Sequence, residues 1–157
     1  MKKREITRVL IPTLKLNDYV GNTNNKVSNE SLIDCVVLAP NDYLQLFGRN
    51  RSQAKGIDKV LAVVKIKSTK TKKVIWRRFF GEPAMKHKEY AAVTYSSLYE
   101  LADIDYKELI EGDVVLCKGN WFMYYWNHPF HATRISAKLG FISVVLAAIS
   151  IVISICL

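Results

Sequence analysis

Leu139-Gly140-Phe141-Ile142-Ser143-Val144-Val145-Leu146-Ala147-Ala148-Ile149-Ser150-Ile151-Val152-Ile153-Ser154-Ile155-Cys156-Leu157 runs for nineteen positions without a charge, a proline or a side-chain amide. As a helix it rises roughly 28 Å, close to the ~30 Å hydrocarbon thickness of a bilayer. The stretch therefore predicts a single C-terminal transmembrane helix over residues 138–157. A core helix is also apolar all round, but it needs protein on every side, and the rest of this chain is too short to build that shell comfortably. A glycolipid-anchor signal ends in a similar tail, yet it requires a secretory leader and a polar spacer, neither of which is expected here.

Working outward, the residues before the tail include His128, His131, Arg134 and Lys138. Basic residues on that flank place it on the cytoplasmic side. The expectation is a tail-anchored, single-pass protein whose N-terminal domain faces the cytosol, at the inner or plasma membrane in a bacterium. Met1-Lys2-Lys3-Arg4 has the basic opening of a leader, but Glu5, Arg8, Pro12 and Lys15 interrupt the apolar stretch a leader requires. Cys35, Cys117 and Cys156 are odd in number and widely spaced, which reads as free thiols in a reducing compartment. The chain is 157 residues long. Without the tail it has the size of one soluble domain.

Four segments follow from composition. Residues 1–30 read as an N-terminal arm, or a first strand ending at Leu16, with an Asn-rich loop from Asn17 to Asn29. Residues 31–120 read as a β-rich domain, residues 121–137 as an aromatic juxtamembrane segment, and residues 138–157 as the membrane helix. Within the domain, Cys35-Val36-Val37-Leu38 has the pattern of a buried strand, and Asn41 or Asp42 is placed to cap a short helix that Gly48 ends. Lys59–Lys67 and Lys73–Phe80 form a predicted hairpin with a basic tip, Val64 and Ile66 pointing one way and Lys65 and Lys67 the other. Ala91-Ala92-Val93-Thr94, a short helix capped by Ser96 or Ser97, and Val114-Val115-Leu116-Cys117 repeat the strand, helix, strand order.

Setting Val37–Leu46 against Ala92–Leu101 places strand on strand, cap on cap and Leu46 on Leu101, which indicates an internal duplication. With Leu101, Gly112-Asp113 and Val114-Val115-Leu116 in sequence, the second half resembles the double-psi β-barrel family over roughly residues 32–120. In the first half Leu44-Gln45-Leu46-Phe47-Gly48 is followed by Arg49-Asn50-Arg51, with no Gly-Asp. The resemblance implies a mainly β fold, a small double-psi-like barrel ahead of the membrane helix. It carries no catalytic residue, because barrels of this family serve as adaptors, DNA binders and enzymes alike.

Charge is concentrated in the middle. Residues 49–88 hold thirteen Lys and Arg against two acids, within a net charge of +9 for the chain. Lys65, Lys67, Lys70, Lys72, Lys73, Arg77 and Arg78 are interleaved with Trp76, Phe79 and Phe80, a pattern suited to anions, and in an anchored domain to anionic lipid headgroups. A nucleotide or nucleic acid fits the same chemistry less closely than a nearby bilayer does. A solvated strand face that keeps the protein soluble is the bland alternative.

Trp121, Tyr124, Tyr125 and Trp126, with Arg134 and Lys138, are expected at the membrane interface, where rings are buried and polar tips stay wet. A last strand filling the barrel is the alternative for the aromatics. Pro129 suits the first turn of the membrane helix, capped by Asn127 or His128. Gly140, Ser143, Ala147, Ser150 and Ser154, spaced three, four, three and four, draw one seam for helix association and predict a homo-oligomer or a membrane-complex subunit.

Enzyme signals are weak. The sequence has no glycine-rich phosphate loop, no paired cysteine motif and no His-Glu-x-x-His. His87, Cys117, His128 and His131 lack metal-site spacing, so neither metal nor cofactor is expected. Glu100, Asp103, Asp105, Glu108, Glu111 and Asp113 read as a solvated loop. The expected function is a binding or adaptor module held at a membrane. A membrane-perturbing effector gated by an anionic ligand comes next, and a barrel enzyme last.

Overall fold

A computed structural model describes residues 4–13, 32–83, 85, 89–102 and 113–156. The Asn-rich loop, His87 and the acidic stretch 103–112, including the glycine of Gly112-Asp113, lie outside the described residues. Six strands close into a barrel: β1 (Glu5–Pro12), β2 (Cys35–Leu38), β3 (Val63–Ser68), β4 (Val74–Gly81), β5 (Tyr90–Val93) and β6 (Asp113–Lys118). Around the ring the order is β1-β5-β2-β4-β3-β6. β1 is parallel to β5 and β2 to β4, while the other neighbours are antiparallel. The segment before residue 31 thus supplies a full wall of the barrel, so the domain begins at β1.

The pairing is symmetric between the halves. β1 beside β5 sets Pro12 against Val93, and β4 beside β2 sets Gly81 against Leu38. β1 against β6 pairs Ile6 with Leu116, and β4 against β3 pairs Ile75 with Ile66. Exchanging β1-β2-β3 for β4-β5-β6 reproduces every contact of the ring, with Val37 facing Ala92 and Ile66 facing Leu116 at the crossing points. Of these strand pairs, the internal alignment superposes β2 on β5.

Alternation decides what enters the barrel. Val64 and Ile66 of β3, Ile75 and Phe79 of β4, and Val114 and Leu116 of β6 are buried together with Leu10, Val36, Leu38 and Val93. Each such side chain contributes roughly 1.5–3 kcal/mol through removal from water. Two short helices close the structure: α1 (Pro40–Phe47) follows β2, and α3 (Tyr95–Leu101) follows β5. Between α1 and β3 lie a 3-10 turn (Arg51–Gln53) and α2 (Ile57–Val60). Gly48, at φ 74°, ends α1 in the left-handed conformation that glycine adopts without strain.

Several local expectations are revised. Lys59 and Val60 belong to α2, entered through Gly56 at φ 60°, so the hairpin strand begins only at Val63. α1 starts at Pro40, and Asp42 turns to Arg8 in place of capping. At α3 the N-cap is Thr94, whose hydroxyl meets those of Ser96 and Ser97. The aromatic run is a helix, α4 (Trp121–Trp126), because the Asn120 side chain accepts the Phe122 amide and starts a turn there. Asn127 ends α4, and α5 (His131–Cys156) follows after Pro129.

No residue of α5 is buried, and the helix is long and apolar enough to cross a bilayer. A core helix would be covered; α5 offers apolar side chains on every face to something outside the chain. The chain passes from β6 to α4 through Gly119, where a Cβ would lie 2.6 Å from Val63 Cγ1 and 3.0 Å from the Lys65 amide nitrogen. Gly119→Ala is expected to destabilise the protein by about 1–3 kcal/mol through this overpacking, read as a lowered unfolding midpoint of the full chain in detergent.

Candidate functional site

A largely buried polar cluster joins the barrel to α4, the short helix that precedes α5. Asp34, one residue before β2, accepts Arg78 Nε at 2.6 Å and Tyr124 Oη at 2.6 Å on Oδ2, and Arg78 Nη2 at 3.0 Å on Oδ1. Cys35 Sγ donates to the same carboxylate at 3.4 Å. Three parts of the chain meet here: the start of β2, the outer face of β4, and α4. His128 adds a fourth, its Nε2 lying 3.1 Å from Tyr124 Oη. The Phe130 amide donates to His128 Nδ1 at 3.1 Å, so the neutral ring carries its proton on Nε2. The direction of the chain is thereby set: His128 donates to Tyr124, and Tyr124 donates to Asp34.

The charges follow from this pairing. Burial works to raise the Asp34 pKa, but hydrogen bonds from Arg78 and Tyr124, with the Arg78 charge, outweigh it and hold the carboxyl below 3.8. Burial, reinforced by the bond to Asp34, raises the Tyr124 phenol. Burial and the Asp34 charge push the Cys35 thiol up to about 12, which keeps it protonated and unreactive. Burial, helped by the Arg77 and Arg78 charges, lowers His128 against the pull of Asp34. Neutral His128 thus sits between an ionised acid and two guanidinium groups. Tyr124 also packs on Leu61, Val63 and Trp76, so α4 is held against the barrel wall by apolar contact as well.

A second pair of polar contacts plugs the barrel ends. Arg8 and Arg77 occupy equivalent places in β1 and β4, each pointing inward. Arg8 reaches both carboxylate oxygens of Asp42 on α1. Arg77, fully buried, donates from Nε to Ser97 Oγ at 2.8 Å and pairs with Glu100 at 2.9 Å, both on α3. Each arginine ties a strand of one half to a helix that closes the barrel.

The sequence-predicted residues separate accordingly. Arg77 and Arg78 are engaged within the fold: Arg77 is buried inside the barrel, and Arg78, still partly exposed, pairs with Asp34. Arg77 shares the phase of Ile75 and Phe79, the signal that marks it as inward. Lys65 and Lys67 face outward, opposite to Val64 and Ile66. With Glu5, Thr69, Lys72 and Cys117 they line a groove of about 310 Å³. Lys72 Nζ donates to the Thr69 carbonyl and Lys73 Nζ to the Ala102 carbonyl, which secures the basic turn against α3; Lys70 is exposed on that turn.

This turn lies far along the strand from the connection to α4. Ser68 pairs with Val114, and Val64 with Lys118, so the turn and the exit to α4 are at opposite ends of β6. Six residues of strand separate them by about 17 Å. At the α4 end, Tyr124 is buried in the cluster and does not face an interface, contrary to its expected role. Trp121 and Tyr125 are exposed, and Lys138 lies 5.4 Å above the Trp126 ring. Along α5 the hydroxyls of Ser143, Ser150 and Ser154 donate to carbonyls one turn back at 3.0 Å, which satisfies them within the helix and leaves their oxygens as acceptors. Gly140 and Ala147 share that seam.

Asp34 was the residue that sequence reasoning missed, and its only signal is a carboxylate directly before an all-buried strand. No protein-family model matches the chain, and a search of curated proteins finds no relative.

Tyr124→Phe removes a hydrogen bond to an ionised acid and is expected to cost about 1.5–3 kcal/mol, measured as a lower unfolding midpoint in detergent. Acid acts on the same cluster. His128 is depressed in the fold, so the stability it contributes is present above about 6.5 and lost as pH falls through its lower folded value. Asp34 adds a second loss as pH falls below 3.8 and through its own folded value. Unfolding midpoints measured from pH 8 to 5 should fall, and His128→Gln should flatten that fall.

Proposed function

We propose that the protein is a bilayer-anchored binding module. α5 crosses the membrane, the barrel stands on the cytosolic side, and the basic turn and groove recruit a negatively charged partner to the surface. The observation that carries this reading is α5, apolar along its length with no buried residue, joined to the barrel through a paired polar cluster in place of a loose linker. A domain fixed in this way presents one face to the bilayer and another to the cytosol. Arg134 and Lys138 lie on the first turns of α5 and Lys118 at the α4 end of β6, which supports reading them as cations at the headgroups. Each such cation held at an anionic surface is worth about 1 kcal/mol.

In this reading β6 stands off the bilayer, so that the turn bearing Lys70, Lys72 and Lys73, a strand length from the α4 connection, is beyond the ~8 Å screening length of physiological salt. Its position favours a soluble anionic protein surface over the headgroups that the sequence alone suggested. Self-association through the Ser143, Ala147, Ser150 and Ser154 part of the seam belongs to the same proposal, since lipid-facing helices pack closely where residues are small. The twofold strand order supports reading the barrel as the double-psi type.

A second reading is kept because of the 310 Å³ groove, whose Lys65, Lys67 and Lys72 suit a phosphate group. In it, the groove binds a nucleotide-like anion and the associated helices then perturb the bilayer. Toxicity on overexpression that is abolished by Ser143→Leu, Ser150→Leu and Ser154→Leu together would favour this effector.

The anchor is tested by alkaline carbonate extraction of membranes. The full chain should stay in the pellet, and recovery in the supernatant would end the proposal. For the partner face, Lys70→Glu, Lys72→Glu and Lys73→Glu together should leave membrane retention unchanged and abolish co-purification of the partner recovered with wild type in detergent. An unchanged set of co-purifying proteins would remove the basic turn from the interface.

A further inference from the structure

A groove of about 480 Å³ runs between α4 and the first turns of α5. Its walls include Phe122 and Trp126 on one side and Ala137, Gly140, Phe141 and Val144 on the other. Three ring contacts brace it: Phe122 with Trp126 at 5.4 Å, and Phe141 with each of them at 5.7 Å. The rings hold the two helices together while leaving a gap beside Gly140, where an added Cβ would meet nothing within 4 Å. The volume falls in the ~300–1,000 Å³ range of small-ligand pockets.

Depth and charge identify the occupant. Gly140, Phe141 and Val144 belong to the uncharged run that begins at Leu139, so this end of the groove is level with acyl chains. Lys138 stands over Trp126 at the other end, and Arg134 lies one turn further along α5. Lys138 and Arg134 flank the groove and do not line it, and an apolar slot flanked by two cations matches the two parts of an anionic phospholipid. Its phosphate meets Lys138 and Arg134, while an acyl chain lies between rings that contact it from both helices. A lipid elsewhere around α5 touches one helix only. Aromatic helices at the headgroup level are suited to this arrangement, their rings buried and their polar edges wet.

We propose that the α4–α5 groove is a binding site for one anionic phospholipid per chain, drawn from the bilayer. The inference rests on α5 spanning the membrane, and goes beyond it by assigning a defined lipid to a defined cleft.

The test uses the full chain in nanodiscs of mixed phosphatidylcholine and phosphatidylglycerol, transferred to mild detergent and weighed by native mass spectrometry. The expected result is one retained phosphatidylglycerol per chain, enriched over its share of the nanodisc. Gly140→Leu, whose Cβ enters open space, puts its side chain into the groove and should lose the retained lipid while still inserting. Arg134→Gln with Lys138→Gln should reduce the enrichment to the nanodisc ratio. Retention without headgroup preference, retention unaffected by Gly140→Leu, or a lipid-free dimer whose second α5 crosslinks to position 140 would each overturn the site. Failure of wild type to insert into vesicles, read separately by flotation, would instead remove the transmembrane reading.

Discussion

Asp34 is needed by separate parts of the chain at once. A carboxylate taken out of water has to be paired, and here Arg78 and Tyr124 do so from two elements, one from the barrel wall and one from the helix that leads to α5. Neither partner is a sequence neighbour of Asp34. The cost of leaving that charge unpaired is therefore what holds α4, and through it α5, in a fixed relation to the barrel. Because His128 donates to Tyr124 and accepts from Phe130, the direction of the hydrogen-bond chain is maintained up to the start of the membrane helix.

The barrel itself depends on a different constraint. Parallel neighbours cannot be joined by tight turns, so β1 with β5 and β2 with β4 each require the chain to travel across the structure before pairing. In both halves the strand before the crossover carries an inward arginine, and the helix after the second strand supplies its partner, Asp42 in one half and Ser97 with Glu100 in the other. Buried guanidinium groups are expensive unless satisfied. Their satisfaction by equivalent helices repeats the symmetry of the strands in polar contacts.

Much of the architecture was legible along the chain. Alternation placed Val64 and Ile66 inward and Lys65 and Lys67 outward, and the superposition of Val37–Leu46 on Ala92–Leu101 found the repeat, because both signals are local and periodic. Where local rules failed, a long-range partner had intervened. Asp42 reads as a cap, yet Arg8 claims it; Arg77 reads as a surface cation from its neighbours Lys72 and Lys73, although its phase with Ile75 and Phe79 already pointed inward. Trp121–Trp126 carries the composition of a strand or an interfacial run, and Asn120 turned it into a helix through a single side-chain bond. Tyr124, grouped with its neighbours by ring chemistry, proved to belong to Asp34.

By itself the sequence determined which solvent each part of the chain requires: the uncharged run from Leu139 is matched to lipid, and the alternating strands are matched to a surface with one wet and one dry face. Those preferences are properties of side chains read one segment at a time. Only the tertiary structure decided which distant groups share a buried charge, which cations lie beside the α4 connection and which lie a strand length from it. These outcomes depend on ring order and register, and register is a relation between segments that no single segment encodes.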